Sequence, residues 1–143
     1  MCTETVTHSK IKVEQNKRKA TFCNEARDEY EISEVDGCLV TEGIRCDNLV
    51  SRKDDHSVLV ELKGSDVSHA CEQLFASVEH PTVAPLLKQN VGFLVICSKY
   101  PRFDTFVRRA KERAMKQYRA GFHVVKNSGE FDIERVTAID GPK

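Results

Sequence analysis

Three residues carry the chemistry this chain offers most plainly: Asp47, Glu61 and Lys63. Residues 44–50, the polar stretch 51–56 and residues 57–62 read as a β-hairpin whose second strand, around Val58-Leu59-Val60, is the strongest in the chain. With the turn centred on Asp54, Asp47 faces Glu61 and Leu49 faces Leu59. Side chains alternate along a strand. Glu61 and Lys63 therefore share a face with Leu59, while Val58, Val60 and Leu62 turn the other way into apolar core. Two directly opposed carboxylates have Cβ atoms about 5 Å apart and repel. A divalent cation between them removes that cost, and Mg²⁺ favours one or two carboxylates plus waters and phosphate oxygens. A lysine two residues on can stabilise charge developing on a phosphoryl group or help position an attacking water.

A lone Glu-x-Lys triplet arises about once by chance in a chain of this composition, so its setting carries the weight. The triplet ends the strongest strand, is followed by Gly64 and a helix, and has Asp47 on the preceding strand. The plain alternative is an exposed edge strand with charges on its solvent face. Cys46-Asp47-Asn48-Leu49-Val50, then Val60-Glu61-Leu62-Lys63-Gly64, then a helix carrying Gln73, resemble the PD-(D/E)XK nuclease superfamily over residues 36–118, in the order hairpin, helix, strand, helix. The resemblance implies a restriction-endonuclease-like core and a Mg²⁺- or Mn²⁺-dependent endonuclease. It makes Asp47, Glu61 and the Leu62 backbone carbonyl the metal ligands, Lys63 the catalytic lysine and Gln73 a further catalytic residue. Cys46 stands where the family name has Pro, and no long N-terminal helix supplies an extra acid. Glu34 and Asp36 are the candidates for that acid, although Asp36 before Gly37 also reads as a turn residue. So short a motif speaks to fold and site more than to substrate.

The helix from about Pro101 to Ala120 is the second feature of interest. Arg108, Arg109, Lys111, Arg113, Lys116 and Arg119 outweigh Asp104 and Glu112, and Lys99 and Arg102 lie just before it. Its apolar stripe is Phe103, Phe106, Val107, Ala110, Ala114 and Tyr118. Lys99, Arg102, Arg108, Arg109 and Arg113 form a candidate nucleic-acid surface, with DNA expected rather than RNA. The alternative is a solvated helix with cations favoured near its C-terminus. His69 and Gln73, at i and i+4 on the polar side of their helix, are placed to meet phosphate or water, or simply solvent. His8, His56, His80 and His123 show no ligand spacing and read as surface residues.

The elements that must hold these residues suggest an α+β fold: a mixed sheet built from a strand meander and hairpins, flanked by two main helices. The N-terminal eight residues read as frayed. A hairpin joins Ile11 and Val13 to Ala20 and Phe22, and a strand lies near Ile32. The helix from about Asp66 buries Val67, Ala70, Cys71, Leu74, Phe75 and Val78, and residues 91–98 form an interior strand. Gly121 reads as a helix cap, residues 122–125 and 131–133 as a closing hairpin, and the tail from Ala138 as loose.

The 143 residues suit one domain, with 40% apolar and 31% charged residues. Zero net charge, 22 basic against 22 acidic groups, means that only a local patch could attract a polyanion. Six cysteines without a Cys-x-x-Cys read as reduced, mostly buried thiols and argue against structural zinc. No secretion signal and no membrane-length apolar run are evident, which points to the cytoplasm. A metal-dependent nuclease in defence, mobile-element biology or repair is the leading expectation. A non-catalytic nucleic-acid-binding or immunity-type protein-binding module on the same fold is the alternative, and a structural subunit the third. A homodimer or a protein partner fits any of these.

Overall fold

Among the described residues, alternating and near-continuous apolar runs become nine strands, and two apolar helical stripes cover one face of the larger sheet. The computed structural model describes residues 2–53, 55–63, 66–99 and 105–141, with the backbone alone at Lys63. The expected turn centre Asp54, the stop at Gly64 and the helix start around Pro101, with Arg102, Phe103 and Asp104, lie outside those residues. In chain order come β1 (Thr3–Val6), β2 (Lys10–Gln15), β3 (Arg18–Cys23), β4 (Tyr30–Glu34), β5 (Asn48–Arg52), β6 (His56–Lys63), α1 (Val67–Glu79), β7 (Asn90–Cys97), α2 (Thr105–Arg113), β8 (Gly121–Lys126), β9 (Ser128–Phe131) and α3 (Ile133–Thr137).

Six strands form a mixed sheet in the order β1-β4-β5-β6-β7-β8. β1, β4, β5 and β6 pair antiparallel, and β6, β7 and β8 run parallel through the α1 and α2 crossovers. Leu49 pairs with Leu59, the register that alternation predicts. Both faces of the sheet are covered. Leu49, Leu59, Phe93 and Val95 pack under α1 and α2. Val50, Val58, Val60, Leu94 and Ile96 pack under the small sheet β2-β3-β9 and α3. β6 is therefore an interior strand, not the exposed edge of the plain alternative.

Asp66 caps α1, its carboxylate accepting from the His69 N–H at 3.0 Å. The helix stops at Glu79, just ahead of His80-Pro81, because the residue before proline avoids helical backbone angles. α2 buries Val107 and Ala110 and continues through a π-helical turn, residues Ala114–Tyr118. No helix among the described residues is long and apolar enough to cross a membrane.

Several expectations are corrected. The N-terminus is not frayed: β1 pairs with β4, and Cys2 is disulfide-bonded to Cys38. Cys23, Cys46, Cys71 and Cys97 are the free thiols. The left-handed residue ending the second helical segment is Arg119 (φ 52°), while Gly121 opens β8. Residues 122–133 form no hairpin. Asn127, at φ 63°, turns the chain out of the main sheet, and β9 pairs parallel with β3. Residues 133–137 form α3, which approaches so closely that a Cβ on Gly92 would lie 2.7 Å from the Val136 carbonyl oxygen. The tail after it is held as far as Gly141, whose carbonyl accepts from Arg135 at 2.8 Å. His123 is buried, its Nε2–H donating to the Ala138 carbonyl at 2.9 Å.

Two measurements check these corrections. Denatured without reductant, the chain should titrate four thiols, and six after reduction; six at the outset would remove the Cys2–Cys38 bond. Burial lowers the His123 pKa below its ordinary 6.5, Lys111 adds to the shift, and the Ala138 and Val136 carbonyls and Asp140 oppose it. The folded state thus holds the imidazole neutral where the unfolded chain protonates it. The associated stability is complete above about pH 6.5 and is lost as pH falls through the lower folded value. His123→Gln should therefore show a shallower fall of Tm between about pH 7 and pH 5. An unchanged slope would assign the acid sensitivity to other groups.

Candidate active site

Asp47 is delivered by a loop and gripped from both sides. The chain leaves β4 through a turn at residues 35–40, where Gly37 takes φ 82°, a left-handed angle that glycine adopts without strain. The N–H groups of Val35 and Asp36 both donate to the Asp47 carbonyl, at 3.0 and 3.3 Å. The Asp47 N–H points the other way and donates to the Val60 carbonyl at 3.2 Å. Because this peptide twists, the β5–β6 ladder ends at Asn48–Val60, and the opposed Asp47–Glu61 pair expected from alternation is not a ladder pair. Instead the Asp47 carboxylate reaches along β6 and accepts from the Leu62 N–H at 2.7 Å. A strand residue sends its N–H and carbonyl to the same side, so the Leu62 carbonyl also faces the β5 side.

Glu61 is one residue away on β6 and only 3% exposed. Burying a carboxylate on an interior strand is costly unless nearby groups compensate it. Both acids also act on Cys46. Its fully buried thiol is pushed up to about 12, first by burial and further by the charges of Glu61 and then Asp47, against a hydrogen bond to Ser77. The two carboxylates therefore share one neighbourhood. The same shift removes Cys46 as a nucleophile, because the thiolate is the reactive form. Among the described residues no imidazole is at hand to activate it: His56 sits at the far end of β6, with Nδ1 3.1 Å from Asp55.

Comparison with protein-family models, with characterised proteins and with solved structures gave no match. The site is therefore read from its geometry alone. Among the described residues no group of three or more His, Cys, Asp or Glu side chains is arranged to hold an ion. Asp47, Glu61 and the Leu62 carbonyl are a small, hard, all-oxygen donor set. That composition fits Mg²⁺ or Mn²⁺, of which Mg²⁺ retains several waters, better than it fits zinc. Lys63 closes β6 with its backbone in register with Cys97 of β7; its side chain falls outside what the structure describes.

α1 fastens the loop that carries Asp47. Gln73 is half-buried, and its Nε2 donates to the Arg45 carbonyl at 3.0 Å. Its Oε1 is buried without a hydrogen-bond partner. One turn on, the fully buried Ser77 hydroxyl accepts from the Cys46 N–H at 2.7 Å and donates to the Gln73 carbonyl at 2.8 Å. Ser77 escapes notice in the sequence. The available signal is a small hydroxyl residue inside the otherwise apolar stripe between Leu74 and Val78. His69 lies apart from this cluster, partly exposed, with Nδ1 3.7 Å from Glu72.

Glu34 and Asp36 do gather near Asp47. With Glu4, Glu14 and Lys12 they line a cleft of about 580 Å³ on the small-sheet side. Asp36 is held by Arg45, whose Nε lies 2.7 Å from Oδ1, so its charge is partly answered. Lys99, Arg108, Arg109 and Arg113 are exposed beyond β7 and along α2, while Arg102 lies outside the described residues. Phe106, placed in the buried stripe by its spacing, is instead exposed.

Ser77→Ala should leave the buried Cys46 N–H without its acceptor, which costs about 1–3 kcal/mol of stability in urea unfolding. Unchanged stability would show that water or a shifted backbone replaces the hydroxyl.

Proposed function

We propose that this protein is a Mg²⁺- or Mn²⁺-dependent phosphodiesterase that cleaves nucleic acid, with DNA the preferred class. One observation carries the reading: Glu61 is buried on an interior strand, next to the point where Asp47 is fixed by the Leu62 N–H. An apolar residue would be cheaper in that position. A carboxylate kept there beside a second one suits a site that holds a cation. The PD-(D/E)XK resemblance of the same residues supports this reading. So does the strand order β4-β5-β6-β7, with β6 and β7 parallel.

In this reading Asp47, Glu61 and the Leu62 carbonyl supply the oxygen ligands. A bound divalent ion polarises the phosphate and lowers the pKa of an attacking water. The Leu62 N–H fixes the direction of the Asp47 carboxylate, and burial of Glu61 strengthens every charge interaction it makes. Lys63 neutralises charge growing on the phosphoryl oxygens. Gln73, with its amide oxygen buried beside the loop, positions water or backbone at residue 45. A cytoplasmic setting belongs to this reading; the Cys2–Cys38 disulfide is the observation that pulls against it.

The test separates metal binding from activity. Mn²⁺ at a hundredfold excess over Kd should stabilise the wild type by about 2.7 kcal/mol, roughly 5–10 °C in Tm. Asp47→Asn and Glu61→Gln should gain much less. On a panel of plasmid, single-stranded DNA and RNA, Lys63→Ala should lower cleavage by orders of magnitude while keeping the wild-type Tm. If both carboxylate variants respond to Mn²⁺ as wild type does, the acids are structural and the reading fails. Metal binding without cleavage of any substrate would leave a binding module.

A further inference from the structure

On the face of the sheet that carries the α1–α2 layer, the two helices leave a groove of about 250 Å³ between them. One wall is Ser68, Cys71, Glu72 and Phe75; the other is Phe106, Arg109, Ala110 and Arg113. Each set falls at i, i+3, i+4 and i+7, one flank of a helix. Cys71, Phe75 and Ala110 are buried and make an apolar floor. Phe106 stands at the rim, 58% exposed. Arg109, one turn on, has no ion pair or hydrogen bond among the described residues. Another turn on, Arg113 stacks its guanidinium 4.3 Å from the centre of the Phe75 ring.

The groove starts beside the site. β6 and β7 run in parallel register to Lys63 and Cys97, and α1 begins directly after β6. α2 returns the chain to β8, whose first residue pairs with Gly92 near the start of β7. Both helices therefore run back from the end of the strands that bears Glu61, and Ser68 and Phe106 lie at that end.

An exposed ring over an apolar floor gives little to a duplex, whose bases are stacked inward. It rewards a flat base with nothing else to stack on. The charge around it selects a polyanion: α2 and the turn after it carry Arg108, Arg109, Lys111, Arg113 and Lys116 against Glu112. Glu72 is the acid of the opposite wall, so phosphates are directed to the α2 side. We propose that this groove binds an unpaired stretch of nucleic acid, with a base stacked on Phe106 and the phosphates running along Arg109 and Arg113. The proposal rests on the phosphodiesterase reading for the fate of the strand, and it names that enzyme's substrate as single-stranded rather than duplex.

Binding is read by fluorescence anisotropy of the full chain in EDTA, with labelled oligothymidine and oligouridine of about 16 nucleotides and a duplex of equal length. A single strand should bind more tightly than the duplex, and the two homopolymers separate DNA from RNA. Phe106→Ala should weaken single-strand binding by about 5- to 100-fold, and Phe106→Tyr should retain it. Arg109→Gln should lower the slope of log K against log salt by about 0.7. Equal affinity for duplex and single strand with no effect of Phe106→Ala overturns the proposal. So does failure to bind any nucleic acid, including the case in which an acidic peptide occupies the groove instead. With Mn²⁺ added, groove-dependent binding without cleavage removes the phosphodiesterase reading and leaves the groove. Cleavage unaltered by Phe106→Ala and Arg109→Gln does the reverse.

Discussion

The twist of the Cys46–Asp47 segment is the constraint on which the site depends. Within a regular ladder Asp47 would project from the face of the sheet. Here its N–H goes to Val60 and its carbonyl to Val35 and Asp36, on opposite sides, whereas a regular strand residue sends both to one side. This rotation lets the carboxylate reach the Leu62 N–H. Ser77 then holds the preceding N–H and Gln73 the carbonyl before that. Three elements, the turn after β4, the strand β6 and the helix α1, thus meet on three consecutive residues. Backbone groups in a buried place must be satisfied, and satisfying them here fixes the Asp47 side chain as a by-product.

What alternation along a strand decides, the sequence shows. Leu49 opposite Leu59, and Glu61 and Leu59 on the opposite face to Val58 and Val60, follow from a period of two and are observed. The mixed α+β sheet with flanking helices follows from the order of those patterns. The ladder's end does not, because it depends on what the neighbouring turn does with its N–H groups. Phe106 fails for a related reason. A helical stripe names the residues that lie on one side, but its flank is buried only if a neighbour fills the space beside it, and beside Phe106 that space is an open groove. His123 and α3 depend on two glycines that admit a helix against β7 and β8, and a glycine in a strand does not announce what will approach it.

Long-range pairings were the least legible. β9 joins β3 across more than a hundred residues of chain, in parallel, whereas a local reading pairs neighbours and so expects a hairpin. Cys2 and Cys38 are 36 residues apart. Neither spacing nor composition picks them from six cysteines, since only the pairing of β1 with β4 brings them together.

The chain's zero net charge conceals a division that bears on how a polyanion would approach. Asp47 lines a cleft whose other walls include Glu4, Glu14, Glu34 and Asp36, on the side of the small sheet. Across the sheet, α2 presents a row of arginines and lysines. The site lies at the edge where those two faces meet. Under the proposed function a phosphate backbone would be repelled from the first face and drawn to the second, and low-dielectric walls would concentrate that difference. The acids would then be met end-on from the α2 side rather than through the larger cleft. Cleft volume and charge thus point to opposite faces of the molecule. For a phosphate ligand charge decides, because each phosphate brings a full negative charge, whereas the volume of an open, acidic cleft offers little apolar area to bury.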